Sequence, residues 1–499
     1  MKRKIEAELS RWKDDPHKKP LIMLGCRQVG KTYSIHKFVS DNYESFLEVN
    51  LEREPSIRDV FRGSLDAATI IDKLVIISGK KLIPGRSAIF LDEIQASPEA
   101  YSSLKWLAED NRFDILASGS FLGTSLFGGT KEDYPPISPL GYVKTLTMYP
   151  MDFEEYLWAM GVDERMIASV RESIESLREI DASYNRIMTE HFRRYMIVGG
   201  MPEAVRIYSE TRDYHAALSA IRDVIHILQM DAGKYSRNRM DKMKILACME
   251  SIPSQLASDK RRFQFVDVEK TSGGRRRYGD ALEWLINAGM AYRCYNLFSV
   301  NPPLSHNLKE TMFKIYLCDT GLLMGLMDDA DPGAIVISDP FSNNGIVMEN
   351  AVASALVKKG YPLYYYAKEN STLEIDFVLN HGEIWLLEVK SGKSKRSKSL
   401  NTLLSEKDRK RRGFKVCEGN ILGDENGAVH LPLYGACFLP ESTVDDILPV
   451  GPAERAFPFI TVRRYTAHAH DPTRHGNRRP QGERQAGQRE LPPAEEPPD

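Results

Sequence analysis

Apolar residues come along this chain in two rhythms. The segments PLIML (20–24), Ala88 to Leu91, and FDILA (113–117) are short, mostly continuous apolar runs bounded by glycine, serine or charge. That is the pattern of strands buried on both faces in a parallel sheet. The first is followed by YSIHKFVSDNY (33–43), whose apolar positions fall at helical spacing, so the opening 150 residues read as strand and helix in alternation.

From residue 151 to 235 the spacing becomes three and four. DFEEYLWAM, ERMIASVRESIESLREI, RIMTEHFRRYMIVGG and YHAALSAIRDVIHILQMDAGKY read as helices, with Gly199, Gly200 and Pro202 as breakers between two of them. Beyond them, KMKILACMESI and SQLASDKR read as two short helices and GDALEWLINAGM as a third. MAYRCYNLFSV then reads as a strand opening a hairpin, an order that resembles a winged helix. Next comes a helix in GIVMENAVASALVKKGY and a strand in LYYYAK. A hairpin follows, from Glu374–Leu379 through a turn at His381 and Gly382 to Ile384–Lys390. From about Leu448 apolar residues nearly vanish, and a segment that cannot bury a core is expected to be disordered.

Composition narrows the class. The 499 residues carry 67 Lys and Arg against 69 Asp and Glu, a net charge of -2, so any nucleic-acid surface must be a local patch. Six cysteines lie scattered with no CxxC spacing, which argues against structural zinc and a disulfide framework and fits a reducing cytoplasm. No stretch of about 18 apolar residues occurs, so no membrane span is expected.

Chemistry enters at Gly25-Cys26-Arg27-Gln28-Val29-Gly30-Lys31-Thr32, which fits GxxxxGK[ST] between a strand and a helix. In such a loop backbone N–H groups converge on phosphate oxygens at a helix N-terminus. Lys31 is then expected at the β- and γ-phosphates of ATP, and Thr32 on Mg²⁺. The run SAIFLDEIQ supplies Asp92 for the Mg²⁺ shell and Glu93 to orient or deprotonate the attacking water, which points to hydrolysis. Ser118 and Ser120 end the next strand, where one hydroxyl is a candidate to sense the γ-phosphate; a plain Ser-Gly-Ser turn is the alternative.

The loop GCRQVGKT, the strand FLDEIQ, the SGS turn, LTMYPMDFEEYL and MIVGGMPEAV together resemble a prokaryotic AAA+ type ATPase family whose members join a P-loop domain to a C-terminal domain of unknown function (the 4143 type, restriction-endonuclease-like). The resemblance spans roughly residues 1–440. It implies an ATPase domain joined to a restriction-endonuclease-like one, and together with the element pattern it predicts a multidomain α/β chain: a P-loop ATPase domain (1–150), a helical lid (151–240), a winged-helix-like module (241–335), a nuclease-like domain (336–440), and, outside the resemblance, a linker with disordered tail (441–499). Many such relatives have Gly-Arg where this chain has Gly141-Tyr142, so no arginine finger is placed there; Arg193 and Arg194 are the candidates, or else a solvated helix face. The superfamily leaves a homo-oligomer open.

Two further groups bear on partners. Lys260, Arg261, Arg262, Arg275, Arg276 and Arg277 cluster about the third helix of the winged-helix-like module, where phosphate contacts to DNA would fall. Glu388 and Lys390 share one face of a strand, Asp376 arrives from its neighbour, and Glu349 lies on the preceding helix. An odd-length loop would set Asp376 directly opposite Glu388. This set resembles the PD-(D/E)xK nucleases, with Ile375 in place of the motif's proline. The resemblance implies Asp376 and Glu388 as ligands of a second Mg²⁺, Glu349 in support and Lys390 as activator. The basic tract 390–398 is a candidate to meet a phosphate backbone. Three functions follow: an ATPase acting on nucleic acid, a signalling or scaffolding NTPase with protein partners, and an ATP-gated metal-dependent nuclease.

Overall fold

A computed structural model describes residues 1–442, apart from 64–65, 121–138, 140, 236–238, 259–260, 270–273, 328–343, 370–372, 391–396, 407–409 and 424–426. The expected disordered tail, Lys260 and most of the 390–398 basic tract lie outside the described residues.

The three apolar runs at 20–24, 88–91 and 113–117 form strands where their pattern puts them, and two segments of mixed polarity, 45–50 and 144–147, add strands that no apolar run announces. β1 (Leu21–Gly25), β2 (Ser45–Asn50), β3 (Ser87–Asp92), β4 (Asp114–Ser120) and β5 (Lys144–Thr147) pair in the order β2-β3-β4-β1-β5, all parallel. Helices α1 (Ile5–Asp14), α2 (Lys31–Asn42), α3 (Ala67–Ser78) and α4 (Pro98–Asp110) belong to the same region. Successive side chains of β3 divide between faces: Ala88 and Phe90 join one apolar cluster, Ile89 and Leu91 another. Both faces being buried, a continuous apolar run is what the strand needs. This order also sets β4 between β3 and β1, so their C-terminal ends meet along one edge of the sheet.

α5 (Phe153–Ala159), α6 (Glu164–Glu175), α7 (Ala182–Val198), α8 (Pro202–Thr211) and α9 (Tyr214–Tyr235) follow. The spacing finds four of these and misses α8, which opens on Pro202 in its first turn. Gly199 and Gly200 are more than breakers. A Cβ at Gly200 would lie 2.0 Å from the Met151 carbonyl oxygen, and the chain passes that close because Met151 N–H donates to Gly200 O (2.7 Å). Gly200 N–H in turn donates to Asp319 Oδ2 (2.6 Å).

The two short helices expected at 242–261 are one helix, α10 (Arg239–Ala257), which runs through Pro253. The proline removes one backbone donor, but Cys248, Ile252 and Leu256 bury a stripe at helical spacing on either side of it, and that packing keeps the helix whole. α11 (Gly274–Asn287) precedes an antiparallel hairpin of β6 (Ala291–Leu297) and β7 (Leu308–Leu317).

After α12 (Thr320–Gly325) and α13 (Asn344–Lys358), β8 (Tyr364–Ala367) pairs with β6, and β9 (Glu374–Ile375) with β8, completing a four-stranded sheet β7-β6-β8-β9. β10 (Phe377–Asn380), β11 (Ile384–Val389), β12 (Arg411–Val416), β13 (Leu422–Gly423) and β14 (Ala428–Leu431) make another sheet, β10-β11-β12-β14-β13, with α14 (Lys398–Leu404) between β11 and β12 in sequence. The single strand expected over Glu374–Leu379 is therefore split at Asp376, its two halves serving different sheets. One apolar cluster runs from Ile5 to Leu439 through all these parts. Among the described residues no helix is long and apolar enough to cross a membrane, and all six cysteines are free thiols.

Candidate functional site

At the C-terminal edge of the parallel sheet, α2 begins at Lys31 with Gly30 as its N-cap at φ 94°, a left-handed conformation that glycine adopts without strain. Lys31 is buried, and its Nζ donates to the carbonyls of Gly25 (3.0 Å) and Cys26 (2.9 Å). Burial lowers its pKa, against the opposing pull of Cys26, Glu93 and Asp92. Thr32 Oγ1 donates to Asp92 Oδ1 at 3.0 Å. Ser118 hydrogen-bonds the same oxygen, and Asn50 Nδ2 donates to Oδ2 at 2.8 Å. Asp92 is thus a buried carboxylate gripped from three elements. Glu93 follows at φ 54° and accepts from Gln95. Ser120 pairs with Gly25 across β4 and β1, and its buried hydroxyl has no partner among the described residues. Ser118 and Ser120 stand in a strand, not in the alternative Ser-Gly-Ser turn, because pairing with Met23 and Gly25 holds the backbone extended.

A second group forms where the two later sheets meet. Phe377 pairs with Leu387 and Asn380 with Ile384 across a three-residue loop, so the register, carried one step on, sets Asp376 opposite Glu388. Asp376 Oδ2 accepts from Val389 N–H (2.8 Å). Glu388 Oε1 lies 2.8 Å from Lys390 Nζ, and its Oε2 is buried with no partner among the described residues. Burial raises the Asp376 pKa to about 7, with Glu349 adding to it. Glu349 does not join them as an open ligand: Oε1 takes Lys314 Nζ (2.9 Å) and the Tyr316 hydroxyl, and Oε2 takes Arg261. Burial would raise the Glu349 pKa, yet Lys314 and Arg261 override it and bring it down to about 2. Among the described residues no group of three or more His, Cys, Asp or Glu is arranged to hold a metal ion.

Family models match three segments. Residues 17–157 match the AAA domain, 189–332 a domain of unknown function (DUF8612), and 344–434 another (DUF4143). The chain joins an AAA-type P-loop domain to a DUF4143 domain. No curated protein matches the sequence. Among solved structures, a Walker-type ATPase of Pyrococcus abyssi is 15% identical, with 65% of this chain and 95% of that one covered at a TM-score of 0.38. The Orc1 protein of Aeropyrum pernix, in complex with DNA, is 14% identical over 69% and 94% at a TM-score of 0.28.

Around the glycine loop and Asp92, three side-chain roles escape a reading of the sequence. Nothing in FLDEIQ announces that Gln95 reaches Glu93; Asn50 carries no motif and is signalled only as a polar residue ending a strand, and its partner Asp92 lies directly across the register. Arg3 is buried: it reaches Glu155 (3.1 Å), the Val29 carbonyl of the glycine loop (2.9 Å) and the Tyr149 carbonyl (2.8 Å). At the second group, Lys314 is the residue missed, and the role of Arg261 there is missed with it; both come from the 189–332 segment. Arg261 is drawn from the basic cluster into the Glu349 ion pair, Arg277 lies 3.1 Å from Glu269 and Arg262 is half-buried, which leaves Arg275 and Arg276 as the exposed members among the described residues. Arg193 is likewise engaged, 2.7 Å from Glu418, whereas Arg194 is partly exposed and 3.7 Å from Glu190.

Proposed function

We propose that the chain is a Mg²⁺-dependent ATPase of AAA+ type that couples ATP hydrolysis to nucleic-acid binding or processing. The observation that carries this is the 3.0 Å hydrogen bond between Thr32 and Asp92, which brings the hydroxyl after the glycine-loop lysine onto the acid that ends β3. The residues fit magnesium nucleotide: two oxygen ligands already adjacent, a lysine held by loop carbonyls, and a Ser120 hydroxyl beside Gly25 that is unpartnered among the described residues. In this reading the amides from Cys26 to Gly30 cradle the phosphates, and Lys31 neutralises the β- and γ-oxygens. Thr32 and Asp92 hold the ion, which when bound supplies charge neutralisation at the phosphates. Glu93 orients the water and takes its proton, and Ser118 or Ser120 contacts the γ-phosphate.

Two features support a nucleic-acid partner: the two-helix-and-hairpin order of α10, α11, β6 and β7, and exposed Arg275 and Arg276 near the N-terminus of α11. The test is ATP turnover measured with and without duplex and single-stranded DNA across a salt series. Stimulation that falls steeply with salt supports the coupling; DNA-indifferent turnover points instead to a signalling or scaffolding NTPase.

A second reading, a metal-dependent nuclease gated by ATP, is favoured by one observation: Asp376 registered against Glu388, whose Oε2 is buried and unpartnered among the described residues. These two carboxylates fit a divalent cation, and Lys390 lies next to them; Glu349 does not fit. Loss of Mg²⁺-dependent DNA cleavage in Glu388→Ala, with ATPase activity intact, is the result this reading expects.

A further inference from the structure

Lys314 is a lysine with no exposed side-chain surface, in the middle of an acid cluster that it does not share a sheet face with by local sequence. It comes from β7, whereas Glu349 is on α13 and Glu374 on β9. Its Nζ lies 2.9 Å from Glu349 Oε1 and 3.0 Å from Glu374 Oε1, with the Tyr365 ring 4.9 Å away. Tyr316, two residues on and so on the same face of β7, donates to the same Glu349 oxygen, and Arg261 closes the other. A buried ammonium is costly unless opposite charges surround it. Burial does press its pKa down, but Glu349, Asp376 and Glu374 outweigh that, and the charge is held.

This is the electrostatic arrangement of a cation among carboxylates, with the cation supplied by the protein. Glu349 has both oxygens committed to protein donors, whereas Glu388 Oε2 has none among the described residues. We propose that Lys314 acts as a built-in cation that withholds Glu349 from divalent metal, leaving Asp376 and Glu388 as a weak two-carboxylate site. The inference rests on the reading of Asp376 and Glu388 as cation ligands. It makes the middle hairpin a restraint on the chemistry of the C-terminal domain.

The test is a Mn²⁺ titration of the full chain without nucleotide, in an Asp92→Asn background so that the AAA site does not contribute, followed by calorimetry and by the melting temperature. Lys314→Met is expected to tighten Mn²⁺ binding about tenfold or more, with the gain removed by Glu388→Gln or by Glu349→Gln, and Mn²⁺ is expected to raise its melting temperature more than it raises that of the Lys314 protein. Should Lys314→Met fail to fold, Glu349→Gln with Lys314 present still decides: Mn²⁺ affinity is expected to stay within about twofold, while Glu388→Gln abolishes it. Folded Lys314→Met with no gain, or a Glu349→Gln protein that loses affinity about tenfold, overturns the proposal and leaves the two-carboxylate site standing. Mn²⁺ binding absent from every variant overturns both.

Discussion

Arg3 is buried against Glu155 at 3.1 Å while the same guanidinium donates to the Val29 carbonyl inside the glycine loop at 2.9 Å. Glu155 is also the reciprocal partner of Asp152 in the capping box that starts α5. One side chain therefore ties the phosphate-binding loop of the proposed site to the first helix of the segment beyond the sheet.

Arg3→Ala is expected to leave Glu155 as a buried carboxylate without its guanidinium and to destabilise the fold by about 3–5 kcal/mol. It is also expected to weaken ATP affinity, because the Val29 carbonyl loses its donor. Urea unfolding and a nucleotide titration at a temperature where the variant is folded check the two parts separately.

Gly200→Ala places a methyl 2.0 Å from the Met151 carbonyl oxygen, which is backbone and cannot swing aside. The Met151 carbonyl also accepts from Tyr195 (2.9 Å) and Lys358 (3.2 Å), so the shift spreads to α7 and α13. A loss of about 3 kcal/mol is expected, read as a lowered urea midpoint.

His191 gives a pH signature. Burial, with Arg194 and Arg212 nearby, lowers its pKa to about 4. The folded state thus binds fewer protons than the unfolded chain between that value and about 6.5. Its contribution is fully present above the unfolded pKa and lost as pH falls through the folded one. Because the ring is partly exposed, solvent screening holds the effect to about 1–2 kcal/mol. His191→Gln is expected to unfold at a higher urea concentration, relative to the unmodified protein, at pH 5 than at pH 8; parallel curves would contradict the assignment.

Glu93→Gln keeps the shape of the side chain and removes the base. ATP is expected to bind with unchanged affinity and turnover to fall about 100-fold or more, measured by phosphate release under saturating nucleotide.

Three strands of the parallel sheet, β1, β3 and β4, are legible because each carries a continuous apolar run, and the glycine loop and Asp92 because their motif is local; β2 (SFLEVN) and β5 (KTLT), mixed in polarity, are not. The odd loop at 381–383 likewise made the Asp376 and Glu388 pairing foreseeable as one of two registers. What stayed hidden depends on partners far along the chain. Asn50 matters only because β2 pairs with β3, and Arg3 only because α1 lies beside the loop. Lys314 reads as one more polar position in a half-apolar strand until α13 and β9 close over it. The break expected before Pro253 failed for a similar reason: a local rule against proline lost to the buried stripe of α10. Glu374–Leu379 reads as one strand because nothing local announces that its halves join different sheets.

The central claim is that the loop from Gly25 to Thr32 and the Asp92 carboxylate together hold magnesium ATP. Equilibrium titration of a fluorescent ATP analogue, with and without Mg²⁺, tests it on the unmodified chain, Lys31→Ala and Asp92→Asn. The account predicts Mg²⁺-enhanced binding by the unmodified chain, an affinity reduced about tenfold or more by Lys31→Ala, and loss of the Mg²⁺ enhancement in Asp92→Asn. Equal affinity in all three, or no affinity for ATP when Mg²⁺ is supplied, would contradict it.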